Sequence, residues 1–113
     1  MRVFISLPMK GRTKEEIETT LKKMKEYVIS KMDNKVEFVN TIVEEKPPYE
    51  NGEHTAIWYL GKALEILSTC DMVAVCGDID YNKYNGCFLE KETALRYGIP
   101  VMSVNGILWN TMN

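Results

Sequence analysis

Hydrophobic and polar positions change period several times along the chain, and each change marks an element. Arg2-Val3-Phe4-Ile5-Ser6 alternates β-branched and aromatic residues and stops at Leu7-Pro8, which predicts a short strand. The segment Met9-Lys10-Gly11-Arg12 is a loop. Thr13 and Glu16 then form a capping-box signature, in which each side chain satisfies a free backbone N–H at a helix start. Ile17, Leu21, Met24, Val28 and Met32 recur at helical steps, one face of an amphipathic helix that Asn34 is expected to end.

Lys35 to Asn40 alternates again and predicts a second strand. From Thr41 to Gly52 the run Glu44-Glu45-Lys46-Pro47-Pro48 keeps the chain irregular, a long loop of the kind used as a lid or interface arm. A helix follows with Ile57, Leu60, Leu64 and Leu67 on one face. Met72-Val73-Ala74-Val75-Cys76 is continuously apolar, the mark of a strand covered on both sides. Gly77 to Tyr81 leaves it as a loop. Asn85-Gly86 opens another helix, Gly98 closes it, and Pro100 to Val104 makes a last strand. Asn105-Gly106 turns into the tail Ile107 to Asn113.

Alternating strands and helices predict an α/β fold with a mainly parallel sheet of about four to five strands and helices on both faces, a three-layer sandwich. The length of 113 residues suits a single domain over residues 1–113. Ligands of such folds sit outside the carboxyl ends of the strands. The loops at Leu7 to Arg12, Thr41 to Gly52 and Gly77 to Tyr84, and the turn after Val104, therefore hold the candidate chemistry.

Composition narrows the partners. With 14 basic and 16 acidic residues the net charge is −2, which disfavours a nucleic-acid polymer, whose binding needs many cationic phosphate contacts. No apolar run approaches the ~18–20 residues of a membrane span, and the opening lacks a signal-peptide pattern, so no membrane partner and a cytoplasmic location are expected. Cys70, Cys76 and Cys87 are odd in number and form no C-x-x-C pair, and His54 is the single histidine. Reduced, buried thiols are expected, with no metal and no cofactor. His54, just ahead of a helix, reads as a cap or surface residue.

Two loops carry suggestive groups. Gly11 lets the backbone bend ahead of a helix N-terminus, where free N–H groups and the dipole suit a phosphate and Lys10 or Arg12 adds charge. A capped turn with two solvated cations uses the same residues. Asp78 and Asp80 lie at the sheet edge, and Glu90 follows near the first turn of the next helix, where the dipole favours its ionised form. An ionised carboxylate can attack a sugar anomeric carbon, although acids in first turns also serve stability alone. Glu92, on another side of that helix, reads as solvated. Trp58, Tyr59, Tyr81, Tyr84 and Trp109 offer surfaces on which a base can stack. Trp58 and Tyr59 equally suit helix packing, whereas Tyr81 and Tyr84 lie in the candidate loop.

Phe4-Ile5-Ser6-Leu7-Pro8-Met9-Lys10-Gly11-Arg12 resembles the opening motif of small phage and bacterial proteins of the nucleoside 2-deoxyribosyltransferase-like superfamily. Trp58 to Leu67 resembles the middle helix of that branch. Asn85 to Ala94, continuing to Tyr97-Gly98-Ile99-Pro100-Val101, resembles its third block. The three blocks occur in order and span nearly the whole chain. The resemblance implies a flavodoxin-like or Rossmann-like fold and a homo-oligomer whose sites a neighbouring subunit completes.

It also implies a small-molecule ligand, a deoxynucleoside or its 5′-monophosphate. Glu90, four residues after Gly86, matches the glutamate nucleophile, and Asp78 lies near an aspartate that holds the base. The implied ligand-binding residues are Ser6, Pro8, Met9, Lys10, Gly11, Arg12, Trp58, Tyr84, Asn85 and Gly86. Tyr84 stands where relatives carry an acid or a serine, and Leu7 stands where many have glycine. The implied activity is cleavage or transfer at an N-glycosidic bond. The alternatives are a non-catalytic nucleotide-binding protein, for example a sensor or a phage protein that sequesters a signalling nucleotide, and an interaction module with a vestigial pocket. The Pro47-Pro48 loop and Trp109 are the expected subunit contacts.

Overall fold

A computed structural model describes residues 1–33, 35–41, 45–48 and 54–106. Seven elements alternate: β1 (Arg2–Ser6), α1 (Lys14–Lys31), β2 (Glu37–Phe38), α2 (Thr55–Leu67), β3 (Met72–Cys76), α3 (Asn85–Arg96) and β4 (Val101–Val104). The four strands are all parallel and lie in the order β2-β1-β3-β4, a flavodoxin-like or Rossmann-like arrangement.

Strand alternation divides the core into two layers. Val3 and Ile5 of β1, with Met72, Ala74 and Cys76 of β3, face α1 and pack with its Met24 and Val28. Phe4, Val73 and Val75 face the other way, onto Ala63 and Leu67 of α2 and Ala94 of α3. Every residue of β3 is buried, in line with its unbroken apolar run.

Local signals account for the helix ends. Both reciprocal bonds of the Thr13–Glu16 capping box form, each at 3.1 Å. Gly98 adopts φ 76°, and α3 ends as Ile99 N–H donates to Ala94 O at 2.8 Å while Gly98 N–H donates to Leu95 O. Met32 caps α1 at its C-terminus. Asn34 lies outside the described residues, as do 42–44, 49–53 and the tail from Ile107 that includes Trp109.

Two expectations are corrected. The second strand is two residues long, not the six from Lys35 to Asn40, because only Glu37 and Phe38 find register against Arg2 and Val3. Ile57 does not share the buried face of α2 but is 65% exposed. It lines an apolar cleft with Phe88 and Leu89 of α3 instead of packing on the sheet. His54, expected as a cap or surface residue, is exposed at the N-cap position of α2 and makes no side-chain capping bond.

Candidate functional site

The sheet changes winding direction between β1 and β3: the chain leaves β1 for α1 on one face and leaves β3 for α3 on the other. Open α/β sheets bind ligands at such a point. Ser6, the last residue of β1, and Glu90, in the second turn of α3, meet there, and Ser6 Oγ donates to Glu90 Oε1 at 2.7 Å.

Two clefts meet at this pair. One, of about 420 Å³, is walled by Met9, Thr41, Ala56, Tyr59, Leu60, Ala63, Gly86 and Glu90. The other, of about 410 Å³, is walled by Leu7, Met9, Lys10, Ala56, Lys83, Tyr84, Asn85, Gly86, Cys87 and Glu90. Glu90 is the carboxylate common to both. The first wall is nearly all apolar; the second carries two ammonium groups and the start of α3.

Glu90 is half-buried, and burial pushes its carboxyl up from 4.5 to about 7 against the opposing hydrogen bond from Ser6. The helix dipole was expected to favour the charge. Glu90 lies one turn too far into α3 for a strong effect, since that influence fades within the first turn. Desolvation is the larger influence here. The Ser6 hydroxyl also reaches the Cys87 thiol, which burial drives to about 11 and so keeps protonated and inert.

The β1–α1 loop is set by a turn in which Arg12 N–H donates to Met9 O at 3.1 Å, with Gly11 at φ 73° supplying the left-handed position. Pro8 is buried beneath it. Lys10 and Met9 reach the clefts. Arg12 does not: its guanidinium donates to Pro8 O at 3.1 Å, Thr20 Oγ1 at 2.6 Å and Glu16 O at 3.4 Å, bracing the loop against α1. The expected ligand-facing cation is thus a loop brace.

Tyr84 lines the second cleft with its ring largely buried and Lys83 Nζ 5.5 Å from the ring centroid. Asn85 and Gly86 open α3 beside it, and no side chain caps that helix end. Leu7, 7% exposed, narrows the same cleft. Trp58 lines neither cleft; its ring packs edge-on to Tyr59 at 5.1 Å, with Lys62 Nζ 5.5 Å from its centroid. Asp78 is exposed in the turn after β3 and walls neither cleft. Tyr81 is likewise turned away and donates to Cys76 O at 3.1 Å.

Lys83, Thr41, Ala56, Leu60 and Cys87 also line the clefts, and none was singled out as a ligand contact from the sequence. Lys83 carried a usable signal, a cation immediately ahead of a helix start. Leu60 and Cys87 had the pattern of core residues, and Cys87 is one, so neither gave a signal of facing a cavity. Among the described residues no group of three or more His, Cys, Asp or Glu is gathered as for a metal ion, and no helix is long and apolar enough to cross a membrane. Neither models of protein families, nor curated proteins, nor solved structures give a match to this chain.

Proposed function

We propose that the protein acts on the N-glycosidic bond of a deoxynucleoside or deoxynucleoside 5′-monophosphate, with Glu90 as nucleophile. The observation that carries this reading is the position of Glu90 on the wall shared by two clefts, one of which also carries Lys10 and Lys83. A nucleotide is divided in a matching way: a flat ring joined through one carbon to a polar, anionic sugar phosphate. Seated across the junction, it sets the bond between its halves beside the carboxylate.

The base lies among Tyr59, Leu60 and Ala63, and the sugar phosphate lies toward Lys10, Lys83 and the uncapped start of α3. The Glu90 carboxylate attacks the anomeric carbon as the carbon–nitrogen bond breaks, and the base leaves with the bonding pair and takes a proton from solvent. Water then releases the sugar from Glu90, or a second base takes it up. Ser6 holds the attacking group in place. No cofactor enters this scheme.

A second reading, a nucleotide-binding protein without turnover, is favoured by one observation. Asp78, the expected partner of Glu90, does not wall the clefts, which leaves Glu90 the one carboxylate in them among the described residues. The three cysteines are free, which suits a reducing cytoplasm. The exposed Ile57, Phe88 and Leu89, grouped around a further apolar cleft, suit contact with another copy in a homo-oligomer.

The test is incubation of the wild type and Glu90→Gln with deoxynucleosides, their 5′-monophosphates and cyclic nucleotides, read by chromatography after denaturation. Free base released by the wild type alone supports the glycosidic reading. A nucleotide retained and returned intact by both proteins replaces it with the binding reading. Failure to bind or cleave any of them discards both.

A further inference from the structure

The two clefts share four wall residues, Met9, Ala56, Gly86 and Glu90. Three cannot divide them. Ala56 ends at a methyl group, and a Cβ built on Gly86 meets nothing within 4 Å. Glu90 is anchored by its 2.7 Å bond to Ser6. Among these described residues Met9 has the one long, unbranched side chain that no hydrogen bond anchors.

Its backbone is held: Met9 O accepts from Arg12 N–H at 3.1 Å, and buried Pro8 precedes it. Met9 is 42% exposed, so no core packing fixes its side chain. Methionine is unbranched, with three rotatable side-chain bonds, and fills irregular space at little rotameric cost. A fixed base and a mobile arm make a partition.

We infer that Met9 is a movable partition between the two clefts and determines how large a flat ring can be seated beside Glu90. When the side chain stands between the clefts, the apolar side takes a compact ring walled by Leu60 and Ala63. When it swings out, the ring can extend across Ala56 and Gly86. The class selected is a planar heteroaromatic group, with the methionine sulfur and methyl lying on or against its face. This specificity role deepens the glycosidic reading, which supplies the ring's attachment at Glu90.

The test uses benzimidazole and the larger 2-phenylbenzimidazole, neither of which has a glycosidic bond. Each is titrated into the wild type, Met9→Ala and Met9→Leu, following the carbon-13 methyl signals of Ala56, Leu60 and Ala63. The wild type is expected to prefer benzimidazole. Removing the partition in Met9→Ala should shift the ratio of affinities toward the larger probe by about tenfold, the scale on which pocket size discriminates ligands. Met9→Leu, which retains bulk, should shift it far less.

A ratio that stays the same in all three proteins overturns the inference, as does binding that leaves the Ala63 methyl unmoved or no binding at all. Met9 lies outside the core, so loss of fold is not at issue, and retained cooperative melting checks it. A null result in nucleotide turnover leaves this experiment unaffected, and an unchanged probe ratio leaves the chemistry of Glu90 unaffected.

Discussion

At Glu90 two influences pull against each other, and the larger has consequences for the whole fold. Burial lifts its carboxyl from 4.5 to about 7, while the Ser6 hydroxyl favours the charged form. Between those values the unfolded chain has released the proton and the folded chain retains it, so stability falls as pH rises through this window and is level above it. The shift corresponds to roughly 3 kcal/mol at most. Glu90→Gln removes the buried charge and keeps an oxygen that accepts from Ser6. In urea unfolding it should match the wild type near pH 4.5 and exceed it by about 2 kcal/mol at pH 8, after allowance for water in the cleft. A constant difference across that range would contradict a raised carboxyl. The same group predicts that kcat/KM for glycosidic cleavage rises with pH to a plateau above about 7, since the nucleophile must be ionised. In Ser6→Ala the carboxyl loses its donor and the rise should move to higher pH. Activity lost at pH 7 should return near pH 9; a loss that no pH restores would instead assign Ser6 to geometry alone. That Glu90 stands near the start of a helix at the sheet edge was legible in the sequence. Its protonation was not, because it depends on side chains of α2 and the β1–α1 loop that close over it.

Helix ends were the most legible elements, and α3 shows what legibility leaves out. The Thr13–Glu16 box and the Gly98 terminator are local devices, readable from neighbouring residues. By contrast α2 was given the wrong face at Ile57, since periodicity does not show what a face packs on. Gly86 makes the point quantitative. It sits in the first turn of α3 without positive φ, and a methyl group added there meets no atom within 4 Å, so the fold does not require glycine. Gly86→Ala should therefore leave stability unchanged or raise it by about 0.5–1 kcal/mol through helix propensity. The added methyl enters both clefts, so ligand affinity should fall about tenfold or more. Thermal melting and ligand titration of the same variant separate the two. A variant both stable and fully able to bind would show that the junction is wider than a ligand needs.

At the scale of the molecule, topology sets the site and side chains tune it. The order β2-β1-β3-β4 sends α1 to one face and α2 and α3 to the other, which opens the crevice above Ser6. A parallel sheet with helices on both faces follows from alternating strands and helices with one fully apolar strand, whereas the strand order does not. Which side chains meet across the crevice does not follow, because Ser6 and Glu90 are 84 residues apart and β2 registers over only two positions. A ligand in the crevice should therefore stabilise the molecule unevenly. Binding to the folded state alone adds about 2.7 kcal/mol at a hundred times Kd, and that gain should be visible in the melting midpoint of any nucleotide the protein holds. Hydrogen exchange should locate it. Protection is expected at the first turns of α2 and α3 and in the Met9–Arg12 turn, all beside the clefts. The amides of α1 around Met24 and Val28 lie on the opposite face of the sheet and should slow only by the global increment. Protection centred instead on β2 and its neighbours Arg2 and Thr69 would move the ligand to the groove at that edge of the sheet and remove Glu90 from its chemistry.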